Sequence, residues 1–129
     1  MRATILVVDD EPDVVELIGF SLRTRDYEVL TAFNGLDGLL KARRHLPNLI
    51  VLDVMMDGMD GLSVCEILRA QPFTKQISVI IVTAATGELA RFNSLAAGAD
   101  DFVSKPFSPR ELVGRVEKLL AAAAREVAD

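Results

Sequence analysis

The feature that most constrains the fold is an unbroken apolar run that ends on a carboxylate, Leu49-Ile50-Val51-Leu52-Asp53. A continuous run of leucine and β-branched residues is typical of a strand that is buried on both faces of a parallel sheet. Asp53 would then lie at the carboxyl end of a central strand, the edge at which open α/β sheets bind ligands. Taken alone, Asp53 is explained equally well as a turn residue or a helix cap.

The rest of the chain alternates between strand and helix patterns. Apolar runs predict five strands, at residues 4–8, 27–32, 49–53, 77–83 and 99–103. Apolar residues recur at helical spacing between them, and the last helix begins at the capping box Ser108-Pro109-Arg110-Glu111. Such alternation predicts a parallel sheet covered by helices on both faces. We therefore predict one doubly wound α/β domain over residues 1–129, with the flavodoxin-like strand order 2-1-3-4-5.

Charge and composition argue against several classes of protein. A net charge of −5 disfavours nonspecific binding to nucleic acid or to an acidic membrane surface. A single cysteine and a single histidine rule out an internal disulfide and a histidine-rich metal site. No apolar run approaches membrane-spanning length, and no signal peptide precedes the first strand, so we expect a cytoplasmic protein.

Polar residues follow four of the predicted strands. They are Asp9 and Asp10 after the first, Asp53 at the end of the third, Thr83 at the end of the fourth and Lys105 just after the fifth. Because the carboxyl ends of parallel strands share one edge, these side chains should converge. Two carboxylates about 4 Å apart repel by roughly 4 kcal/mol at a surface-like dielectric. Either some of them keep protons at raised pKa values, or a hard divalent cation such as Mg²⁺ joins them.

Acids, a cation and a lysine at one edge form a place where a phosphoryl group can be received and its charge neutralised. The nucleophile would be a carboxylate, and the product an acyl phosphate. The hydroxyl of Thr83 would donate a hydrogen bond to a phosphoryl oxygen.

The sequence resembles the receiver domains of two-component response regulators, the CheY-like family, over essentially its whole length. The matching segments are Ile5-Leu6-Val7-Val8-Asp9-Asp10-Glu11, Leu52-Asp53-Val54-Met55-Met56, Asp60-Gly61, Val82-Thr83-Ala84, Ala97-Gly98-Ala99-Asp100-Asp101-Phe102 and Lys105-Pro106-Phe107. The resemblance implies phosphorelay signalling, in which Asp53 accepts a phosphoryl group from the phosphohistidine of a sensor histidine kinase or a phosphotransfer protein. A downstream effector would respond. The chain would catalyse only its own phosphorylation and dephosphorylation and would not be an enzyme toward other substrates.

The resemblance also implies a role for each residue at the predicted edge. Asp10, Asp53 and the backbone carbonyl of Met55 would ligate Mg²⁺, or Mn²⁺ in its place, and Asp9 would act through water. The phosphoryl group would be bound by Lys105, Thr83 and the backbone of Ala84. Thr83 and Phe102 would form a conformational switch, and the bond before Pro106 would be cis.

Two features of this sequence bear on details of that chemistry. Asp57 stands where the family usually has proline, and we interpret it as a solvated loop residue in preference to a weak extra attraction for the cation. In the family, the side chains two places after the phosphorylated Asp and two after the Thr influence attack by water. Here they are Met55 and Ala85, and neither can orient a water molecule strongly. We therefore predict slow self-dephosphorylation.

Three other functions compete with this reading. An aspartyl-nucleophile phosphatase usually carries a second acid two residues after the nucleophile, where this chain has Met55. A flavodoxin-like FMN protein needs a phosphate-cradling loop after the first strand, but Asp9-Asp10-Glu11-Pro12 would repel phosphate. A degenerate receiver that serves only as a docking module has no need of the acidic set with Thr83 and Lys105.

The output of the signal is not fixed by the sequence. We expect no effector domain within residues 1–129, and no direct binding to nucleic acid or membrane. Residues 108–116 loosely resemble receivers that precede winged-helix DNA-binding domains. Phosphorylation could also promote a homodimer through the fourth helix, the fifth strand and the fifth helix.

Overall fold

A computed structural model of the chain describes residues 2–128, with side chains described as far as residue 125. Five strands alternate with five helices, which confirms the predicted α/β class. The strands are β1 (Thr4–Val8), β2 (Glu28–Ala32), β3 (Leu49–Asp53), β4 (Ser78–Thr83) and β5 (Asp101–Ser104). The helices are α1 (Pro12–Arg23), α2 (Gly35–His45), α3 (Gly61–Ala70), α4 (Glu88–Ala96) and α5 (Pro109–Ala128).

The strands form one parallel sheet in the order β2-β1-β3-β4-β5, as predicted. The three longest apolar runs supply its interior strands, and every residue of β3 and β4 is buried. Because side chains alternate along a strand, the sheet has two apolar faces. One face packs against α2 and α3, and the other against α1 and α5.

Side-chain caps begin three of the helices. The Asn34 side chain accepts a hydrogen bond from the backbone N–H of Asp37 at 2.8 Å, and Asp60 accepts one from Ser63 at 2.8 Å. The hydroxyl of Ser108 accepts one from the N–H of Glu111 at 3.0 Å, as the capping-box pattern predicts. The cap by Asp60 fixes where the loop after β3 ends and α3 begins.

The fifth strand starts two residues later than predicted. Gly98 (φ 104°) ends α4 in the left-handed region, and the N–H of Ala99 bonds back to the carbonyl of Ser94 at 3.1 Å. The Asp100 carboxylate accepts a hydrogen bond from the N–H of Val79 at 2.8 Å. Ala99 is therefore bonded to the end of α4, and the side chain of Asp100 bonds to the backbone of β4. Regular pairing of β5 with β4 begins only at Asp101.

Within residues 2–128, the helices lack the combination of length and hydropathy needed to cross a membrane.

Candidate functional site

Three aspartates meet at the carboxyl edge of the sheet. β1 and β3 are neighbours, and Val8 lies opposite Leu52, so Asp9 and Asp53 continue side by side. One carboxylate oxygen from each of Asp9, Asp10 and Asp53 lies within 4.8 Å of the others. Asp9 and Asp53 are 2% and 3% exposed, whereas Asp10 is exposed to solvent. Two buried carboxylates and one open to solvent therefore share the site.

Lys105 brings a positive charge into this cluster. Its Nζ lies 3.1 Å from Asp9 Oδ2, 3.4 Å from Asp53 Oδ1 and 3.8 Å from Glu11 Oε1. The backbone N–H of Lys105 donates to the carbonyl of Thr83 at 2.7 Å, and the bond from Lys105 to Pro106 is cis. The backbone just after β5 is thus tied to the end of β4, which holds the lysine side chain over the aspartates.

The cluster shifts the pKa of Asp53 upward. Burial is the main cause and the negative charge of Asp9 the second, and together they raise the pKa of Asp53 from 3.8 to about 6, although Lys105 acts in the opposite direction. Burial alone would lower the pKa of Lys105, but its contacts with Asp9 and Asp53 outweigh that effect and raise it. One lysine therefore does not compensate all of the negative charge.

An oxygen of Asp53 is left without a hydrogen bond. Within the part of the chain that the structure describes, Asp53 Oδ1 is fully buried and accepts none. Lys105 Nζ at 3.4 Å is close enough for charge attraction, but it is not placed for a well-directed hydrogen bond. A buried acceptor without a partner costs free energy, so this oxygen would gain from a further cation or an electrophile.

The donor set fits a hard divalent cation. Mg²⁺ binds oxygen ligands, usually one or two carboxylates plus water. Here three carboxylates converge, and the buried Oδ1 of Asp53 accepts no hydrogen bond from the described residues. The exposed position of Asp10 leaves this side of the cluster open to solvent. The site therefore fits Mg²⁺, because it offers oxygen ligands, carries negative charge and is open to solvent at Asp10.

Thr83 lies beside this cluster at the end of β4. Asp53 is paired with Val82, so Thr83 is the next residue along the neighbouring strand. The Thr83 side chain is buried, and its Oγ1 accepts a hydrogen bond from the N–H of Ala85 at 3.1 Å. Among the described residues its hydroxyl is not seen to donate, so its proton is available to a new acceptor. Ala84 itself is exposed to solvent at the same edge.

Phe102 shares a sheet face with Thr83. It is paired with Ile81 across β4 and β5, two residues before Thr83, and period-two alternation places Ile81 and Thr83 on the same side. The ring is partly buried and packs against the apolar cluster on that face. This arrangement puts the two residues predicted to form a switch on adjacent strands.

The loop after β3 exposes Met55 and Asp57. Met55, two residues after Asp53, is 67% exposed, whereas Met56 is buried. Asp57 is exposed and precedes Gly58 (φ 79°), and it is not one of the three clustered aspartates. These positions agree with our interpretation of Asp57 as a solvated loop residue.

Gly61 has a role that the sequence patterns did not reveal. A Cβ at this position would lie 2.2 Å from the carbonyl oxygen of Asp53, and the Gly61 N–H donates to the carbonyl of Val54 at 3.0 Å. The first turn of α3 therefore contacts the backbone of Asp53 directly, which only glycine permits. A glycine between a helix cap and an apolar helix was the available signal, but it does not say which backbone comes close.

Comparisons with known proteins identify the family of the chain. The family model for the response regulator receiver domain matches residues 5–117. The chain is 43% identical over 120 residues to the alkaline phosphatase synthesis transcriptional regulatory protein PhoP of Bacillus subtilis (strain 168), covering 93% of this chain and 49% of that protein. It is 45% identical over 119 residues to the response regulator PleD of Caulobacter vibrioides (strain NA1000 / CB15N), covering 92% of this chain and 26% of that protein.

Solved structures show the same fold. A CheY-like response regulator receiver domain protein from Methanospirillum hungatei JF-1 superposes with a TM-score of 0.91 at 28% identity, covering 98% of this chain and 99% of that one. The receiver domain of the Francisella response regulator 1452 gives a TM-score of 0.89 at 31% identity, with coverages of 94% and 98%. The chain spans only about half or a quarter of the curated relatives named above. From the matched model, the relatives and the shared fold, the chain belongs to the response regulator receiver domain family.

Proposed function

We propose that the chain accepts a phosphoryl group on Asp53 from a phosphohistidine in a Mg²⁺-dependent reaction, and that the resulting change of conformation regulates an effector. The observation that carries this proposal is the buried Oδ1 of Asp53, which accepts no hydrogen bond from the described residues and lies beside two further carboxylates and Lys105. A carboxylate in this setting is available for attack on phosphorus, and a cation is present to counter the charge that develops.

The transfer step uses the ionised form of Asp53. A carboxylate oxygen of Asp53 attacks the phosphorus, the P–N bond of the phosphohistidine breaks, and its electron pair returns to the imidazole, which takes up a proton. The product is an aspartyl phosphate. A pKa of about 6 keeps most of Asp53 ionised at neutral pH, although burial opposes the charge.

Each neighbour of Asp53 has a role in the proposal. Asp10, Asp53 and the Met55 carbonyl would hold Mg²⁺, or Mn²⁺ in its place, with Asp9 acting through water. When bound, the cation would neutralise charge on the phosphoryl oxygens. Lys105 would move from its contacts with the carboxylates to a phosphoryl oxygen, and Thr83 and the backbone of Ala84 would bind another. The ion pairs of Lys105 support this role because they already hold its ammonium at the site.

The switch would couple the phosphoryl group to the surface of the protein. Once its hydroxyl donates to a phosphoryl oxygen, Thr83 would be drawn toward Asp53, and Phe102 would fill the space it leaves. The shared sheet face of Thr83 and Phe102 supports this coupling. The face formed by α4, β5 and α5 would then change, and it is the surface that we propose for an effector or for a homodimer.

The partners and location follow from the same chemistry. The phosphoryl donor would be a sensor histidine kinase or a phosphotransfer protein, and the chain itself would not bind nucleic acid or membrane. A protein that takes phosphoryl groups from a kinase works in the compartment where that kinase uses ATP, so the proposal includes the cytoplasm. The chain would not act as a phosphatase on other substrates, since Met55 offers no carboxyl at the position of a general acid.

The proposal is tested by intact mass after incubation with Mg²⁺ and a small phosphodonor. Acetyl phosphate serves as one donor and phosphoramidate, whose P–N bond resembles that of phosphohistidine, as the other. We expect a single phosphoryl adduct that is absent from Asp53→Ala and absent in the presence of a chelator. The matched variant Asp57→Ala, which changes an exposed aspartate outside the cluster, should keep the adduct. No adduct in the unaltered chain would contradict the proposal and favour a docking module.

A further inference from the structure

A second concave surface lies at the end of the molecule opposite to the aspartates. α2 ends at His45 shortly before β3 begins, so its carboxyl end lies near the amino edge of the sheet, away from Asp53. A groove of about 780 Å³ separates it from the segment that follows α3. We call this surface the α2–α3 groove, and its lining residues are Leu40, Arg43, Arg44, Leu46, Gln71, Pro72 and Phe73.

The α2–α3 groove is lined by large apolar side chains that remain exposed. Leu40 is 54% exposed, Leu46 50% and Phe73 82%. Leu36, which is 59% exposed, lies one turn before Leu40 and extends the apolar surface along α2. Single exposed apolar residues are ordinary on a protein surface, whereas several that line one groove form a surface on which a partner could bury apolar area.

The charge of the groove is opposite to that of the chain. Arg43 and Arg44 line it without any acidic residue, although the chain as a whole carries −5. Within the described part of the chain, no carboxylate lies within 4.0 Å of either arginine, whereas Arg25, Arg69 and Arg115 all have ion-pair partners. Basic residues favour the last turn of a helix, but that effect does not place them beside exposed leucines and a phenylalanine.

Leu46 adds an independent observation. It caps the carboxyl end of α2 in the left-handed region (φ 47°, ψ 61°), where glycine is the usual residue. A leucine in this conformation is strained. Because Leu46 is 50% exposed, burial of its side chain offsets this strain only in part. Strained residues of this kind cluster at functional sites, and here the side chain of the strained residue lines the groove.

We propose that the α2–α3 groove binds an amphipathic helix of a partner protein, with apolar residues on one face and acidic residues beside them. The apolar face would cover Leu40, Leu46 and Phe73, and the acidic residues would pair with Arg43 and Arg44. A second copy of this chain fits less well, because a two-fold interface would bring the arginines of both grooves together. The concave shape also suits a helix better than the surface of a bilayer.

The test uses two synthetic peptides in a titration of the isotope-labelled chain, followed by NMR. One peptide is a helix with leucines at i, i+4 and i+7 flanked by glutamates, and the other has lysine in place of each glutamate. We expect the acidic peptide to shift the amides of residues 40–46 and 71–73, and to bind about tenfold or more tightly than the basic one. The same titration with Asp53→Ala should give the same result, so the outcome does not depend on phosphorylation.

Two variants separate binding from folding. Arg43→Glu combined with Arg44→Glu should weaken binding of the acidic peptide by about tenfold or more. Arg125→Glu, on the exposed end of α5, should leave that binding unchanged. Leu46→Gly should weaken binding of the acidic peptide severalfold. It should not lower the melting temperature of the chain, because glycine relieves the strained backbone.

Several results would overturn the proposal. They are equal binding of both peptides, shifts that lie outside the groove, and affinity that survives the double arginine variant. A concentration-dependent dimer that is abolished by Leu40→Lys would identify a second copy as the occupant instead. Binding to phosphatidylserine vesicles that depends on the two arginines, without binding of the peptide, would identify a membrane surface.

Discussion

Lys105 Nζ lies 3.4 Å from Asp53 Oδ1, yet that oxygen accepts no hydrogen bond within the described part of the chain. The same ammonium lies closer to Asp9, at 3.1 Å. Asp9 thus has the closer contact with the ammonium of Lys105, and Asp53 keeps a partly uncompensated charge. The properties of the site, in stability and in reactivity, follow from this unequal division.

Removing the charge of Asp53 should stabilise the metal-free chain at neutral pH. The pKa of Asp53 is raised from 3.8 to about 6, so the folded chain binds more protons than the unfolded chain between these values, and stability falls as the pH rises through them. The free energy of unfolding of Asp53→Asn should therefore exceed that of the unaltered chain by about 1 to 3 kcal/mol near pH ~7. Near pH ~3.5 the two should be equal. Urea denaturation with a chelator present measures both values.

The same comparison has a built-in control. Asp57→Asn, at an exposed position outside the cluster, should change stability by less than about 0.5 kcal/mol at either pH. Added Mg²⁺ should stabilise the unaltered chain more than Asp53→Asn, because a ligand that binds only the folded state adds to its stability. An equal gain from Asp53→Asn at both pH values would contradict the assignment of the buried charge.

Removing the cation should have the opposite effect. Lys105→Met leaves Asp9 and Asp53 without their shared ammonium, so we expect a loss of about 3 kcal/mol at neutral pH. The loss should be smaller in acid, below the raised pKa of Asp53 of about 6, because Asp53 is then protonated. The control is Lys118→Met on the exposed side of α5, which should change little. Denaturation curves that show equal effects for the two lysines would rule out this role for Lys105.

Gly61 should tolerate no side chain. Gly61→Ala places a Cβ 2.2 Å from the carbonyl oxygen of Asp53, so either α3 or the end of β3 must move. We expect a loss of about 2 kcal/mol or more and a lower yield of phosphoryl adduct. Gly114→Ala in α5 meets nothing within 4 Å and should instead gain about 0.5 to 1 kcal/mol. Similar effects at the two glycines would show that the close approach at Gly61 is not a constraint.

The hydroxyl of Thr83 should couple phosphorylation to the distant surface. Thr83→Val keeps the shape but not the hydroxyl, so we expect the adduct to form while the NMR shift changes of residues 101–104 on phosphorylation are largely lost. Thr83→Ser keeps the hydroxyl and should retain them. If Thr83→Val responded like the unaltered chain, the proposed switch with Phe102 would be wrong.

The aspartyl phosphate should be long-lived. Neither the exposed Met55 nor Ala85 offers a group that could orient a water molecule for attack on phosphorus. We expect the isolated phosphorylated chain to decay over minutes to hours when followed by intact mass, and Met55→Glu to shorten that lifetime. Decay within seconds would show that another group activates water.

Sequence patterns predicted most of the fold because the signals were local. The bounds of β1 and β3 are as predicted, since the apolar run of β1 stops just before Asp9 and that of β3 stops at Asp53. The predicted start of β5 is two residues too early, because the role of Asp100 depends on its contact with Val79, a residue that is distant in the chain. Patterns of hydropathy do not carry such contacts.

The composition of the site was also predictable, but its contacts were not. Topology brings Asp9, Asp53, Thr83 and Lys105 to one edge of the sheet, as expected for the ends of parallel strands. Lys105 Nζ lies closer to Asp9 than to Asp53, and Asp53 Oδ1 accepts no hydrogen bond from the described residues. Both features depend on differences of a few tenths of an ångström in side-chain position. The close approach of Gly61 depends on how α3 packs against the sheet, which the sequence of α3 alone does not state.

The most direct test of the central claim is to locate the phosphoryl group. The chain is phosphorylated with phosphoramidate and Mg²⁺, the acyl phosphate is reduced with borohydride to homoserine, and peptides are sequenced by mass spectrometry. We expect homoserine at position 53 alone, and none when the chelator is present. Homoserine at Asp9, Asp10 or Asp57, or none at any position, would contradict the claim that Asp53 is the phosphoacceptor.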